Sequence, residues 1–438
     1  MPSELAAAAA KPDPDKEKRN RPRVPKKAPE LAPSKQPKPK EEKPVLQERE
    51  SAGSGVISKM LREAGCYEPN PWAEAPVASA KPVDPECASC GSTCGVCQPC
   101  FRSPWFASFS GLVMSRDQGN RVWTTYQATD VANQLMHTQM DLNWEAGGEV
   151  RFGRKFCCDR WSVEATYWSL NAFSAFDSQT FAGGVSTPLA FNDVVFADPA
   201  IVTSPVDLFD GAAEHRLWRR DEIHNVEINL IRHATNLVDG DLGPGGTVSV
   251  DCMLGARFFR FEEHLTFGSL DNGGYTWAAD PDFQGFLEDR VVNNLAGFQF
   301  GCDANYQAFR NWRLFVRPKL GIYNNHIQHT FMAYRGDGEL FAPDPAPAPP
   351  TSVVPGSYPV RSTKDVVSFM TQVDLGLDWQ FQPNWTLSAG YRVLVASGIG
   401  LADHQIPPYI VDIPEIADID HNGQLVLHGV FAGLEWNY

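Results

Sequence analysis

Five of the chain's ten cysteines fall within "CASCGSTCGVCQPC", residues 87 to 100, spaced Cys87-x2-Cys90-x3-Cys94-x2-Cys97-x2-Cys100. Thiols this dense can ligate a metal, carry redox equivalents or pair as disulfides, and the spacing discriminates among these. Covalent haem needs Cys-x-x-Cys-His, which is absent. Paired zinc knuckles lie about 15 to 20 residues apart, whereas three residues separate the two Cys-x-x-Cys pairs here. The ferredoxin run has a different order and ends in Cys-Pro; no proline follows Cys100. Metal binding is therefore disfavoured and no cofactor is expected. Disulfides need an oxidising compartment, which the rest of the chain must supply. Cys66 upstream brings the segment to six, so pairing within it and cross-bridging to Cys157 and Cys158 are both open.

Other chemistry is sparse. His233, His326, His329, His404 and His421 are candidates, and several sit by expected loops. There is no Gly-x-Ser-x-Gly elbow and no His-Glu-x-x-His, so no catalytic residue is assigned and the chain is not read as an enzyme. Residues 11 to 50 hold thirteen Lys/Arg against eight Asp/Glu, whereas residues 51 to 438 carry 25 basic and 44 acidic side chains. The basic run is Pro-interleaved and nearly free of large apolar residues, so it cannot bury enough surface to offset its ordering entropy. A disordered tail over 1–55 is expected, a solvated spacer or a tether to an acidic cell-envelope polymer. With the remainder acidic, nucleic-acid binding is not expected. No stretch is long and apolar enough for a transmembrane helix. "MPSELAAAAA" lacks the parts of a secretory signal, and "LAAAAA" is read as the remnant of a clipped or miscalled one.

Past a linker over 56–103, the texture becomes one of long alternating segments. In "FMTQVDLGLDWQF", Phe369, Val373, Leu375, Leu377, Trp379 and Phe381 share one face, and Gln372, Asp374 and Asp378 the other. Ten strands are expected, near 104–114, 146–156, 160–172, 222–233, 247–262, 291–305, 312–325, 366–382, 384–397 and 425–438. One face is apolar throughout; the other carries Glu149, Arg151, Glu164, Glu227, Asp251, Arg257, Asp303, Arg317, Lys319, Asp374, Asp378 and Arg392. Lipid outside and lumen inside demand this division.

Short and long connections alternate along the chain, as periplasmic turns and extracellular loops do. The expected fold is all-β: a transmembrane antiparallel up-and-down β-barrel of about 10 (10–12) strands over 104–438, with both termini on the periplasmic side. Trp161, Trp379, Trp385 and Trp436 lie near strand ends, where an interfacial girdle belongs. "LHGVFAGLEWNY" ends on an aromatic within a strand and resembles the C-terminal assembly signal of outer-membrane proteins. Outer-membrane lipid and the barrel-assembly machinery are the expected partners. Cys252 and Cys302 lie equidistant from the centre of one hairpin, so a regular register sets them face to face. That makes them a disulfide pair or two small apolar residues on the lipid face.

The segments "GGEVRFG", "WSVEATYWSLN", "MLGARFFRFEEHLTFGSLDN" and "NLAGFQFGCDANYQAFRNWRLFVRPKLGIYNNH", with the terminal "LHGVFAGLEWNY", resemble the putative β-barrel porin-7 family of outer-membrane proteins, found mostly in planctomycete bacteria. The resemblance covers roughly residues 104 to 438 and implies an outer-membrane location and a porin-like role. Ten strands enclose little space, since about eight are just filled by side chains and open channels need about 16. A narrow or plugged lumen follows, passing small solutes slowly. The alternative is a non-conducting structural or surface-interaction barrel of the envelope, carried by the long loops. Residues 180–213, read as lacking strand period, fold either into the mouth or outward, and the Pro-rich 340–360 cannot form a strand interior.

Overall fold

The structure is a computed structural model and describes residues 105–117, 120–156, 160–233, 247–277, 279–344 and 358–438. The expected tail and linker, with Cys66 and the five-cysteine cluster, lie outside the described residues, as do Cys157 and Cys158.

Ten antiparallel strands close into a barrel. They are β1 (Trp105–Asp117), β4 (Glu145–Phe156), β5 (Trp161–Ser186), β7 (Ala212–Arg232), β8 (Thr247–Leu270), β9 (Gln284–Phe309), β10 (Trp312–Arg335), β12 (Val360–Gln382), β13 (Trp385–Ile399) and β14 (Gly423–Asn437). Each pairs with its sequence neighbour among the ten, and β1 with β14 closes the ring from Phe106↔Asn437 to Asp117↔Val426. Four short strands decorate one end: β2 (Trp123–Gln127), β3 (Asp130–His137), β6 (Val194–Phe196) and β11 (Phe341–Pro343). Two one-turn helices lie in the last loop, α1 (Ala402–Gln405) and α2 (Ile413–Ala417). Trp105 and Asn437 lie at the same end as the short turns.

The outer wall near the short-turn end is apolar. Phe109, Phe152, Ile228, Leu254, Phe298, Phe300, Ile322, Phe369 and Leu434 point out and are exposed. On β10 the belt runs from Trp312 to Ile322. At about 3.3 Å per residue and a tilt near 40°, that is about 25 Å, the apolar height of a membrane barrel. Its lower edge carries stacked aromatics: Trp312 on Trp379 at 5.5 Å, Trp385 on Trp436 at 6.2 Å and Trp105 on Phe152 at 5.0 Å between ring centroids.

Above the belt the strands continue and their polarity inverts. On β10 the outward residues become Asn324, His326, Gln328 and Thr330, while the inward ones include Ile327, Phe331 and Ala333. On β8, Arg260, Glu262 and His264 face out, and Leu265 and Phe267 face in. This corrects the expected strand ends. Residues 173–186, 212–221, 263–270, 284–290, 326–335 and 360–365 are strand and not loop. The alternation persists there with opposite phase, because water replaces lipid outside and an apolar core replaces the charged lumen. Reading strands by one phase alone stops at the membrane boundary.

That core forms a crown. Loop residues Leu189, Phe191, Leu208 and Phe209, together with Phe341, Tyr358, Ile410 and Ile416, are buried against the inward Leu217, Phe267, Val291 and Ile327. The β6–β11 pairing ties two of these loops together. Of 180–213 and 340–360, Leu189, Phe191, Leu208, Phe209, Phe341 and Tyr358 thus pack into the mouth, whereas 180–186 and 212–213 are strand.

Candidate functional site

The lumen is where function must be sought, and side chains fill it. All twelve charged residues assigned to the second face lie on the inner wall. They gather in tiers because each inward row of one strand is level with the inward rows of its neighbours.

The lowest tier joins Arg313 to Asp378 at 2.5 Å, Arg317 to Asp303 at 2.8 Å and to Asp378 at 3.4 Å, with Ser388 donating to Asp378 at 2.6 Å. The middle tier spans the lumen. Arg392 on β13 reaches Glu149 on β4 at 2.6 Å and Asp374 on β12 at 2.9 Å. Lys319 on β10 reaches Glu227 on β7 at 2.9 Å. Gln299 donates to the same carboxylate at 2.7 Å, and Arg257 lies 3.6 Å from its other oxygen. Arg151 pairs with Glu149 at 2.9 Å, and Thr166 donates to Glu164 at 3.2 Å.

Above these lies an apolar shelf of Met114, Trp168, Phe259 and Tyr323, continuous with Phe315 and Phe431, which lie below Lys319 and Arg392 on the wall. Its packing needs glycine at two wall positions. A Cβ on Gly297 would fall 2.1 Å from the Ile322 carbonyl and 2.9 Å from the Tyr323 ring, and one on Gly321 would fall 2.2 Å from the Tyr323 hydroxyl. Gly297→Val is therefore expected to displace Tyr323 and lower stability by about 1–3 kcal/mol, checked by the urea midpoint of the refolded barrel.

The third tier meets the crown. Arg116 on β1 pairs with Asp221 on β7 and, at 2.6 Å, with Glu263 on β8. Arg219 pairs with Glu263, lies 3.5 Å from Asp221 and reaches Asp403 on α1 at 3.8 Å. Glu263 also accepts from the backbone N–H of Ala402 at 2.8 Å. Burial works against its charge, but Arg116 and Arg219 outweigh that and hold its carboxyl below the usual range. Higher still, Asp289 and His329 meet at 3.2 Å, both buried. Burial raises the Asp289 carboxyl above its usual range, His329 opposes this, and Glu263 and Asp403 add to it.

His215, in the crown, is fully buried with Nδ1 3.0 Å from the Thr125 hydroxyl. Burial pushes its pKa from 6.5 to about 3. The folded chain thus keeps it neutral while the unfolded chain protonates it below 6.5. Stability is expected to fall with pH from 6.5 to about 3, by at most about 1.4 kcal/mol per pH unit from this residue. Denaturant titrations of His215→Gln should show a shallower acid limb than the parent.

None of this tier structure is visible as a motif. Sequence reasoning found the lower two tiers by strand period except Arg313, and missed the third tier of Arg116, Arg219, Asp221, Glu263 and Asp403. Four of that tier sit where the period inverts, and Asp403 sits in α1 of the last loop. Among the histidines noted as candidates, His233 joins a Ser–His–Asp array, with Nε2 3.0 Å from Ser162 Oγ and Nδ1 2.7 Å from Asp251. Ser162 is 0% exposed, so an electrophile has no approach to its Oγ, and the array ties β5, β7 and β8 at the lower rim. His326 pairs with Asp365 at 3.0 Å on the outer wall, and His404 contacts Asn422 at 2.8 Å in the last loop. Among the described residues, no group of three or more His, Cys, Asp or Glu is arranged to hold a metal.

An apolar belt of membrane height around a closed ten-stranded barrel with a charged inner wall defines a transmembrane β-barrel. No protein-family profile matches the chain, and no curated protein does. Solved structures do resemble it. The outer membrane protease OmpT from Escherichia coli aligns at 10% identity and a TM-score of 0.37, covering 76% of this chain and 96% of that one. The TodX monoaromatic hydrocarbon channel (deltaS2S3 mutant) aligns at 9% and 0.20, covering 77% and 91%. The Ralstonia pickettii toluene transporter TbuX aligns at 6% and 0.18, covering 77% and 90%.

Proposed function

We propose that the protein is an outer-membrane barrel with a plugged, non-conducting lumen, whose role is to hold the folded crown at the cell surface as a structural or interaction element of the envelope. The observation that carries this reading is the pair of bridges across the middle of the lumen, Arg392 to Glu149 and Lys319 to Glu227, capped by the apolar crown. A charged lumen whose members are paired across its width offers an ion no continuous water path, and the crown core closes the other mouth. The short-turn end, with both chain ends, faces the periplasm in this reading, and β14 is the strand the barrel-assembly machinery engages. The tail then lies in the periplasm, within reach of an acidic envelope polymer. This reading agrees with the location that the porin-7 resemblance implies and departs from its porin-like role.

Two measurements test this. Membrane fractionation with heat-modifiable gel migration should place the folded chain in the outer membrane. In planar bilayers the folded protein should give no discrete conductance steps; reproducible steps would overturn the plugged reading in favour of a solute-passing porin.

A further inference from the structure

The inner wall accounts for the charges, but one pair of reactive side chains lies outside it. Cys252 on β8 and Cys302 on β9 are directly opposite in an unbroken register running from Thr247↔Gln307 to Leu270↔Gln284. Both face outward: Cys252 shares its face with the exposed Leu254, and Cys302 with the exposed Phe300. They are the free cysteines among the described residues.

The phase of the ladder fixes how close they come. The backbone N–H of Asp271 donates to the Phe283 carbonyl at 3.0 Å, in continuation of the same register, so that rung is a hydrogen-bonded one. Hydrogen-bonded and non-hydrogen-bonded rungs alternate. Residue 252 is nineteen rungs from residue 271, an odd number, so Cys252↔Cys302 is a non-hydrogen-bonded rung. Such pairs have Cα atoms about 4.5 Å apart and their side chains closest together, which lies within the range of about 4.4–6.8 Å that a disulfide spans. A pairing offset by one residue would send one thiol to the lumen and the other to lipid.

We propose that Cys252 and Cys302 are joined by a cross-strand disulfide, formed in the envelope before the hairpin enters the bilayer. The inference rests on the envelope location proposed above. The oxidant is a disulfide-bearing thiol oxidase of that compartment. One cysteine thiolate attacks the oxidase disulfide, giving a mixed disulfide and releasing one oxidase thiolate. The second cysteine thiolate then attacks the mixed disulfide, forming the Cys252–Cys302 bond and expelling the other oxidase thiolate. The two cysteine protons end on the reduced oxidase, which leaves as a dithiol. Once the barrel has inserted, lipid covers the bond, because Cys302 lies four residues inside the exposed Tyr306. Water-soluble reductants then cannot reach it.

The test uses full-length protein expressed into the envelope, denatured in iodoacetamide without reductant and digested. A peptide linking Cys252 to Cys302, lost entirely in Cys302→Ser, is the expected result. Folded protein treated with tris(carboxyethyl)phosphine should keep the link, and unfolded protein should lose it. Carbamidomethylation of both thiols, or linkage of either to another cysteine, overturns the proposal. Fractionation of the same preparation separates the two readings. Alkylated thiols on a heat-modifiable outer-membrane barrel refute the disulfide alone, whereas alkylated thiols on a chain found outside the outer membrane refute both.

Discussion

Arg392→Ala is expected to destabilise the folded barrel by about 3–5 kcal/mol, the cost of breaking a buried ion pair from one side. The guanidinium is buried, holds Glu149 at 2.6 Å and Asp374 at 2.9 Å, and lies 5.4 Å from the Phe431 ring centre and 5.8 Å from that of Trp168. Its loss leaves Asp374 without an ion-pair partner and Glu149 with Arg151 alone, in a space water cannot enter freely. Lys319 is committed to Glu227 at 2.9 Å and is a poor replacement. The measurement is the urea midpoint of unfolding in detergent, followed by heat-modifiable migration. The contrast that separates electrostatics from packing is the double change Arg392→Met, Asp374→Asn, which leaves Glu149 paired with Arg151. With the charges gone together, most of the lost stability should return, because a desolvated ion pair gains little over a neutral set of the same shape. A double variant as unstable as Arg392→Ala would show that packing around Trp168 and Phe431, not the unpaired Asp374 carboxylate, causes the loss.

The lower half of this molecule was legible because two solvents press on each strand. Lipid selects Phe369, Leu375 and Trp379 on one side of β12, and the lumen selects Gln372, Asp374 and Asp378 on the other, so period two appears in the letters. The Cys252↔Cys302 register followed from the same regularity plus a symmetric hairpin. The upper half carries the period in reverse. Ile327, Phe331 and Ala333 face in while Gln328 and Thr330 face out, and a reader keyed to apolar-outside takes such a stretch for loop. Which carboxylate meets which guanidinium was not legible at all. Arg116 meets Glu263 across the lumen, from strands separated by three others around the ring. That depends on barrel closure and stagger, which local pattern does not encode. Nor could the letters say that 187–211 folds inward: its apolar residues have no regular spacing, and they find the core only once the strands have built one.

Glu263→Gln is expected to loosen the crown while leaving the lower lumen shut. Glu263 receives both Arg116 and Arg219, and its second oxygen takes the N–H of Ala402 at the start of α1. The amide keeps the shape but removes the charge that both guanidinium groups answer, leaving Asp221 and the more distant Asp403 to serve two cations. The expected cost is again about 3–5 kcal/mol, concentrated where the last loop docks on the wall. Limited proteolysis reads this directly: new cleavages within 400–422, in a segment that the parent protects through the Asn293 contacts to Gly400 at 2.8 and 2.9 Å and the Gln405 contacts to Asp420 at 2.7 and 2.9 Å. In planar bilayers the same variant should remain silent, because the Arg392 and Lys319 bridges below the crown are untouched. Conductance steps from Glu263→Gln alone would place the seal in the crown and make the middle tier a scaffold rather than a barrier. Silence in Glu263→Gln with steps in Arg392→Ala would place it in the middle tier, where the bridges crossing the lumen are the last obstacle an ion would meet.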